Sequence, residues 1–444
     1  MNDFRTFFED KKVTVVGLGL LGKRLGDIAF LAECGAEVLV TDLKTAEQLA
    51  PSIEKLKSYN NIKYVLGEHR YQDFDSCDFI LKGQGVALDS QYIEHARSKG
   101  IPIEMDESLF AKLAPKVQII GITGTRGKTT TTMLIYEILK SSGIEVYLGG
   151  NIKGTAALPL LKEVKDWDVV VFELSSWQLQ GFGEAKISPH ISVFTNFMPD
   201  HLNYYKNNMK KYFSDKANIY KFQKKDDFLV LGSGMKGLAK GAKSKVANTS
   251  ARNTPKSWMI NLKGKHNLEN IACAIEVARI LKIKEEDIKK AVENFQSVSG
   301  RLELVKNING VEIYNDNSST TPDATIAALK AIGDSKKPNI VLIIGGDNKS
   351  LDMSKLLRVI PKFCSKVVLF KEKGTDLIRE KVFKMKKVEA CEEEGLSNTV
   401  KRAFQIAKKG ETILYSPAFS SFGKYFTNEY DRGDQFLKIV KDLD

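Results

Sequence analysis

An α/β protein of three domains, each built around its own mostly parallel sheet, is what this sequence predicts. Three observations carry the prediction. Gly17 to Gly22 form a GxGxxG that follows a short apolar strand and opens a helix. The stretch Val117 to Tyr136, VQIIGITGTRGKTTTTMLIY, is an apolar strand, a glycine-bearing loop and a helix in the order a phosphate-binding loop requires. Beyond residue 298, apolar strands again alternate with helical patterns.

Composition is compatible with this and narrows the class. A chain of 444 residues is long enough for about three domains, each burying its own core. Hydrophobic content of 43% and charged content of 27% are those of a globular protein rather than a disordered one. The N-terminus MNDFRTFFEDKK has no apolar signal region and no apolar run is long enough to span a bilayer, so a cytoplasmic protein without membrane partners is expected. Five scattered cysteines with no CxxC spacing predict free thiols. The net charge of +12 comes mostly from lysines, densest in Lys206 to Lys245, where aromatics do not alternate with them as on RNA-stacking surfaces. This fits a solvated face that helps capture polyanionic small substrates better than a nucleic-acid surface.

Residues 1–105 read as a Rossmann-like domain. Val13 to Val16 is a strand, the glycines Gly17, Gly19 and Gly22, with Leu18, Leu20 and Leu21 between them, open a helix through Cys34, and the strand Glu37 to Val40 ends at Asp42. An acid about twenty residues beyond the glycines completes the dinucleotide fingerprint, with the loop near a diphosphate and Asp42 on a ribose hydroxyl. A nicotinamide cofactor and a UDP-sugar both offer those groups. A further strand, Cys77 to Leu81, leads into the turn Lys82-Gly83-Gln84-Gly85.

Residues 106–297 read as a P-loop ATPase-like parallel sheet. Gly124 and Gly127 free backbone N–H groups to surround phosphate, Lys128 adds a charge, and Thr129 is placed for a phosphate-bound Mg²⁺. Ile122 stands where the strict Walker pattern has glycine, so the loop is a variant. No Asn-Lys-x-Asp guanine motif accompanies it, which favours ATP over GTP. The strand Val169 to Phe172 ends in Glu173, placed to hold Mg²⁺. After the strand Ile191 to Phe194, Asp200-His201 is open to a structural or a metal-binding role. Lys216 reads as a surface lysine of a helix. Asn267 and Asn270, one turn apart at a helix start, fit either capping or an adenine edge.

Residues 298–444 form the third, again Rossmann-like, domain. A boundary at Ser299 to Glu303 precedes a strand, and Pro322 sits at the first position of a helix after the polar loop Tyr314 to Thr321. Ile340 to Ile344, Val367 to Phe370 and Thr412 to Tyr415 are buried strands, predicted in a parallel sheet. The loops Gly345 to Lys349 and Ser416 to Phe422 follow strand ends, where open α/β sheets bind ligands.

In combination these motifs resemble the Mur ligases, from Gly17 to Phe436. The residues that carry the resemblance are Thr123 to Thr130, Glu173-Leu174-Ser175-Ser176, Asp200-His201 and His266-Asn267 with Asn270. Arg301, Asp316, Gly345-Gly346-Asp347 with Lys349, and Ser416-Pro417-Ala418 with Arg432-Gly433 extend it through the third domain. The diaminopimelate-adding relatives usually carry Asp-Asn-Pro-Arg there, which this chain lacks, and folylpolyglutamate synthase lacks the N-terminal GxGxxG domain.

The resemblance implies an ATP-dependent ligase of cell-wall precursor synthesis. Its substrates would be UDP-MurNAc-L-alanine and D-glutamate, and its product an amide formed through an acyl phosphate. Gly124, Thr125, Arg126, Gly127, Lys128, Thr129 and Thr130 would hold ATP phosphates, and Asn267, Asn270, Arg301 and Asp316 the base and ribose. Two Mg²⁺ ions would be held by Thr129, Glu173, His201 and a carbamylated Lys216. Asn151, Ser175 and His201 would meet the acyl substrate, the Gly17 to Gly22 loop with Asp42 and Gly85 the UDP group, and Thr320, Lys349 and Ser421 the amino acid. Catalysis would rest on Lys128, Glu173, His201 and Lys216 in a monomer that binds no nucleic acid.

Two departures fall on the amino-acid pocket. Ser318 stands where these ligases commonly carry a lysine, and the tail Phe422 to Tyr430 is one residue longer than usual, leaving Phe426 and Tyr430 as alternative aromatic covers. A relative that adds L-glutamate is the nearest alternative. A nicotinamide-dependent oxidoreductase is a further one, but it gives the phosphate loop no use.

Overall fold

The computed structural model describes residues 4–19, 23–348, 351–421 and 423–443, with three sheets, one in each predicted segment. The first has strand order β3-β2-β1-β4-β5, with β1 Lys12–Val16, β2 Glu37–Asp42, β3 Ile62–Leu66, β4 Phe79–Lys82 and β5 Ile103–Glu104. All its pairings are parallel. The second, also parallel, runs β11-β10-β9-β6-β8-β7. Its strands are β6 Gln118–Thr123, β7 Val146–Gly150, β8 Val169–Glu173, β9 Ile191–Phe194, β10 Phe228–Leu231 and β11 Lys245–Asn248. The third, β12-β13-β17-β14-β15-β16, comprises β12 Glu303–Ile308, β13 Val311–Asn315, β14 Ile340–Ile344, β15 Cys364–Phe370, β16 Glu389–Glu393 and β17 Thr412–Tyr415.

The third sheet departs from the all-parallel expectation at its edge. β12 and β13 pair antiparallel through Asn309-Gly310, whose φ values of 51° and 83° are those of a tight hairpin turn favoured by Asn-Gly. That dipeptide was the overlooked signal. Elsewhere the apolar runs lie where expected: β14, sequence IVLII, is buried along its whole length, as a central parallel strand covered on both faces must be.

The chain forms two compact units, residues 1–256 with 269–292, and residues 257–268 with 293–444. In the first unit one apolar core runs from Val13, Val15 and Val40 to Ile119, Val170 and Phe172, so the first two sheets are packed together. In the second, separate cores cover the two faces of the third sheet. All five cysteines are free, and no helix among the described residues is long and apolar enough to cross a membrane.

Candidate active site

In the second sheet β6 lies between β9 and β8, and the chain after each of these strands turns out over the same end of the sheet. In parallel α/β sheets that end is where ligands bind. It carries the Gly124 to Lys128 loop, Glu173 to Ser175, and Thr195 to His201.

The phosphate loop is held from the β9 side. Thr195 Oγ1 and Asn196 Nδ2 donate to Arg126 O, at 2.6 and 3.0 Å, while Asn196 Oδ1 accepts from Arg126 N at 2.9 Å. Gly124, at φ 148°, lies so close to Thr195 Oγ1 that a Cβ would overlap it. Gly127, at φ 83°, is the N-cap of the helix Lys128–Ser141, and no side chain caps it. The helix therefore begins with backbone N–H groups and a positive dipole end directed at the loop, a ready anion site. Lys128 Nζ folds back to donate to Gly124 O and Thr125 O at 3.2 and 3.3 Å. Thr129 is half-buried behind it and Thr130 is buried.

Glu173 is buried at the tip of β8. Its Oε1 accepts from Asn151 Nδ2 at 3.0 Å, but its Oε2 is buried without a donor. A buried carboxylate oxygen left unsatisfied calls for a cation or another donor. Ser175 instead caps the helix Ser176–Ala185, accepting from Gln178 N at 3.2 Å.

Lys216 overturns the surface reading. On the helix Met209–Ala217 it is 1% exposed, and its Nζ donates to Gly124 O at 2.8 Å, beneath the phosphate loop. Burial, reinforced by the nearby Lys128 charge, pushes its pKa well below that of an ordinary lysine, which favours a neutral amine. Nothing in the pattern MKKYFSDKA distinguishes this lysine from Lys210 and Lys211 until its burial is known.

Asp200 and His201 follow β9. Asp200 Oδ2 accepts from Arg126 Nη1 at 2.7 Å. Burial would raise its pKa, but the Arg126 charge and hydrogen bond together with His201 outweigh burial and hold it down at about 2. His201, at φ 52°, donates its backbone N–H to Asp200 Oδ1 at 2.9 Å and packs its ring 4.7 Å from Trp177. Burial, helped by the Lys128 and Arg126 charges, lowers its pKa against the opposing pull of Asp200, leaving a ring nitrogen able to act as a lone-pair donor. Among the described residues no three His, Cys, Asp or Glu side chains are grouped to hold a metal ion by themselves.

Asn270, on the helix Lys265–Ile280, lies against Gly127. Asn267, three residues earlier, donates from Nδ2 to Lys263 O at 2.8 Å.

In the first sheet Asp42 does more than the fingerprint expects. One oxygen accepts from Leu18 N at 2.9 Å and Gly19 N at 3.3 Å, the other from Lys44 N at 2.9 Å. The acid thus holds the glycine loop, leaving about one of its four lone-pair sites for a ribose hydroxyl. Leu20, Leu21 and Gly22 lie outside the described residues. Gly85 sits in the facing turn, which the buried Lys82 ties together by donating to Gly83 O and Val86 O at 3.1 and 2.7 Å. Sequence reasoning missed Lys82, since an isolated lysine at a strand end carries no signal of burial.

In the second unit Asp316 follows β13. Its Oδ2 accepts from Ser416 Oγ at 2.7 Å and its Oδ1 from Leu302 N at 3.1 Å. Burial raises its pKa to about 6, against the opposing hydroxyls of Ser319 and Ser416, Leu302 N and the Arg301 charge. The loops after β13, β17 and β14, three adjacent strands, carry Thr320, Ser421 and Asp347. An isolated antiparallel bridge between Asp347 and Ser420 joins two of them. Lys349 lies outside the described residues. Phe426 is buried in the core, its ring 5.7 Å from that of Phe370, whereas Tyr430 is half-buried.

Known proteins match the chain along its length. Three domain families match successive segments: the MurD-like Mur ligase N-terminal domain at residues 11–104, the Mur ligase middle domain at 122–259, and the Mur ligase glutamate ligase domain at 300–419. The UDP-N-acetylmuramoylalanine–D-glutamate ligase of Roseiflexus sp. (strain RS-1) is 34% identical over 97% of this chain and 98% of its own. The ligase of the same name from Clostridioides difficile (strain 630) is 34% identical over 98% of this chain and 99% of its own. Among solved structures, UDP-N-acetylmuramate–alanine ligase MurC of Thermotoga maritima aligns with a TM-score of 0.63 at 19% identity, covering 97% of this chain and 99% of that one. MurF ligase of Thermotoga maritima, in complex with ADP, aligns at 0.62 and 17% identity over 99% and 98%. At these identities the structures speak for the fold.

Proposed function

The chain belongs to the Mur ligase family, and from that premise we propose that it joins UDP-N-acetylmuramoyl-L-alanine to D-glutamate at the expense of ATP, in peptidoglycan precursor synthesis. The observation that supports this reading best is the grouping around one strand end of an uncapped helix N-terminus, Lys128, the half-satisfied Glu173, the lysine Lys216 and His201.

The reaction has two balanced steps. A carboxylate oxygen of the alanine attacks the γ-phosphorus of ATP and ADP departs, giving an acyl phosphate. The glutamate amine then attacks the acyl carbon, the C–O bond to phosphate breaks, and the amine loses a proton. A free carboxylate has no adequate leaving group, and phosphorylation supplies one.

In this reading the Gly124 to Thr130 loop and Lys128 orient the phosphates through charge-assisted contacts. Asn267, Asn270, Arg301 and Asp316 receive the base and ribose. Glu173 Oε2 lacks a donor and Thr129 opens the helix beside the loop, so these residues fit Mg²⁺, with His201 as a neutral nitrogen donor for a second ion. Bound Mg²⁺ would neutralise charge as one anion approaches another. A neutral buried amine is the form of Lys216 able to take up CO₂ as a carbamate, which would add an anionic oxygen donor beside Glu173. Asn151, Ser175 and His201 meet the acyl substrate. The Gly17 to Gly22 loop and Gly85 hold the UDP diphosphate, with Asp42 fixing the loop. Thr320, Lys349 and Ser421 take the amino acid, and the enzyme acts as a cytoplasmic monomer.

Phosphate release from ATP and Mg²⁺ with UDP-N-acetylmuramoyl-L-alanine tests the reading when run against D-glutamate, L-glutamate and other amino acids. Release that depends on D-glutamate is the expected result. Release with L-glutamate alone would move the substrate, and no release with any acceptor would sink the ligase assignment.

A further inference from the structure

Arg432 lies near the start of the helix Glu429–Lys441 and is 1% exposed, the largest fully buried side chain among the described residues. Its guanidinium bonds only to neutral acceptors. Nε donates to Asn317 Oδ1 at 3.1 Å, Nη2 to Asn317 O at 2.8 Å and Nη1 to Phe419 O at 3.2 Å. A Cβ at Gly346 would stand 3.6 Å from Nη1. Arg432 therefore bonds the loops after β13 and β17 and lies close to Gly346 in the loop after β14, at the ends of three neighbouring strands.

Among the described residues no carboxylate stands within ion-pair distance of it. A buried cation without an anion is costly, and proteins pair such charges or use them on a ligand. The same three loops carry Thr320, Ser421 and Asp347. Ser318, beside Asn317, has no charge of its own.

We propose that Arg432 is the fixed positive charge of the amino-acid subsite: it positions the Asn317 and Phe419 loops and, from beneath them, attracts a carboxylate of the incoming amino acid. The inference rests on the acceptor site placed on these loops under the ligase reading. Arg432 does not touch the substrate; it is a positioning residue whose charge acts through Asn317 and the Phe419 carbonyl.

The test compares acceptor KM, at saturating ATP and UDP-N-acetylmuramoyl-L-alanine, in Arg432→Lys, Arg432→Met and Asn317→Asp. The last keeps the hydrogen bonds of the guanidinium and cancels its charge in place, so it serves if Arg432→Met melts early. Arg432→Met and Asn317→Asp should raise KM for D-glutamate about tenfold or more, with KM for ATP unchanged, while Arg432→Lys stays within about threefold. An unchanged acceptor KM in Asn317→Asp, or equal losses in Arg432→Lys and Arg432→Met, would overturn the proposal in favour of a purely structural arginine. If the wild-type protein ligates no amino acid, the ligase reading fails and this inference falls with it. If the wild type ligates and only the KM pattern fails, the ligase reading stands.

Discussion

Gly127→Ala separates the two functions of the phosphate loop, its backbone geometry and its contact with Asn270. At φ 83° any L side chain costs about 1–2 kcal/mol in the backbone alone. The new methyl would also overlap Asn270 Oδ1 and stand 3.0 Å from its Cγ and 3.2 Å from its Nδ2, so the amide must swing away or the loop must shift. Gly143, just beyond the other end of the same helix, provides the control. Its φ of 78° carries the same backbone cost, but a Cβ there meets nothing within 4 Å. Both variants should lose stability, with melting lowered by about 2–4 °C per kcal/mol. Only Gly127→Ala should lose ATP affinity, by about tenfold for each 1.4 kcal/mol of displaced contact. Calorimetric titration of ATP alongside thermal melting reads both quantities. Equal ATP affinity in the two variants would refute the argument that the close approach of Gly127 to Asn270 shapes the nucleotide site.

The other predictions concern charge. Glu173→Gln keeps the bond with Asn151 but removes the anion, so turnover should fall by about a hundredfold or more and the Mg²⁺ requirement should rise; near-normal phosphate release would contradict its place in the site. Lys216→Ala should lose activity that formate or acetate partly restores, and no rescue by any short carboxylate would count against the carbamate. Asp316, raised to about 6 by burial against an ordinary value of 3.8, binds a proton more tightly folded than unfolded. Its stabilising contribution is complete below about pH 4 and is lost as pH rises through 6, on the order of 2–3 kcal/mol. Denaturant melts of wild type and Asp316→Asn at pH 4 and pH 7 should therefore show the variant gaining relative stability at the higher pH, and parallel curves would remove Asp316 as the titrating group.

Much of the fold was legible because its signals are local. The apolar run at Ile340–Ile344, the glycines of the phosphate loop and Pro322 at a helix start each state their conformation through neighbouring residues alone. The hairpin at Asn309-Gly310 was also local, and was missed only because the surrounding pattern argued for parallel strands. Asp42 shows the limit of a motif: an acid at the right distance from GxGxxG does lie against the glycine loop, yet most of its bonding capacity serves Leu18, Gly19 and Lys44.

The residues whose burial stayed hidden share one chemistry. Lys82, Lys216 and Arg432 are cations in a chain of net charge +12, and composition and local pattern make each one more member of a solvated surface, although the family resemblance singles out Lys216 and Arg432. Burial changes what they are. At 0%, 1% and 1% exposure each must satisfy its donors inside the protein, and in all three the acceptors are almost entirely backbone carbonyls of loops at sheet ends. Carbonyls satisfy the hydrogen-bonding but leave the charge without a counter-ion. Such a site gains by losing the proton, as the lowered pKa of Lys216 allows, or by acquiring an anion from outside, as the neutral hydrogen-bond acceptors of Arg432 invite. The excess positive charge is therefore not all solvated surface: part of it lies beneath the loops where anionic substrates are expected, and only the long-range packing of β6, β13 and β17 brings it there.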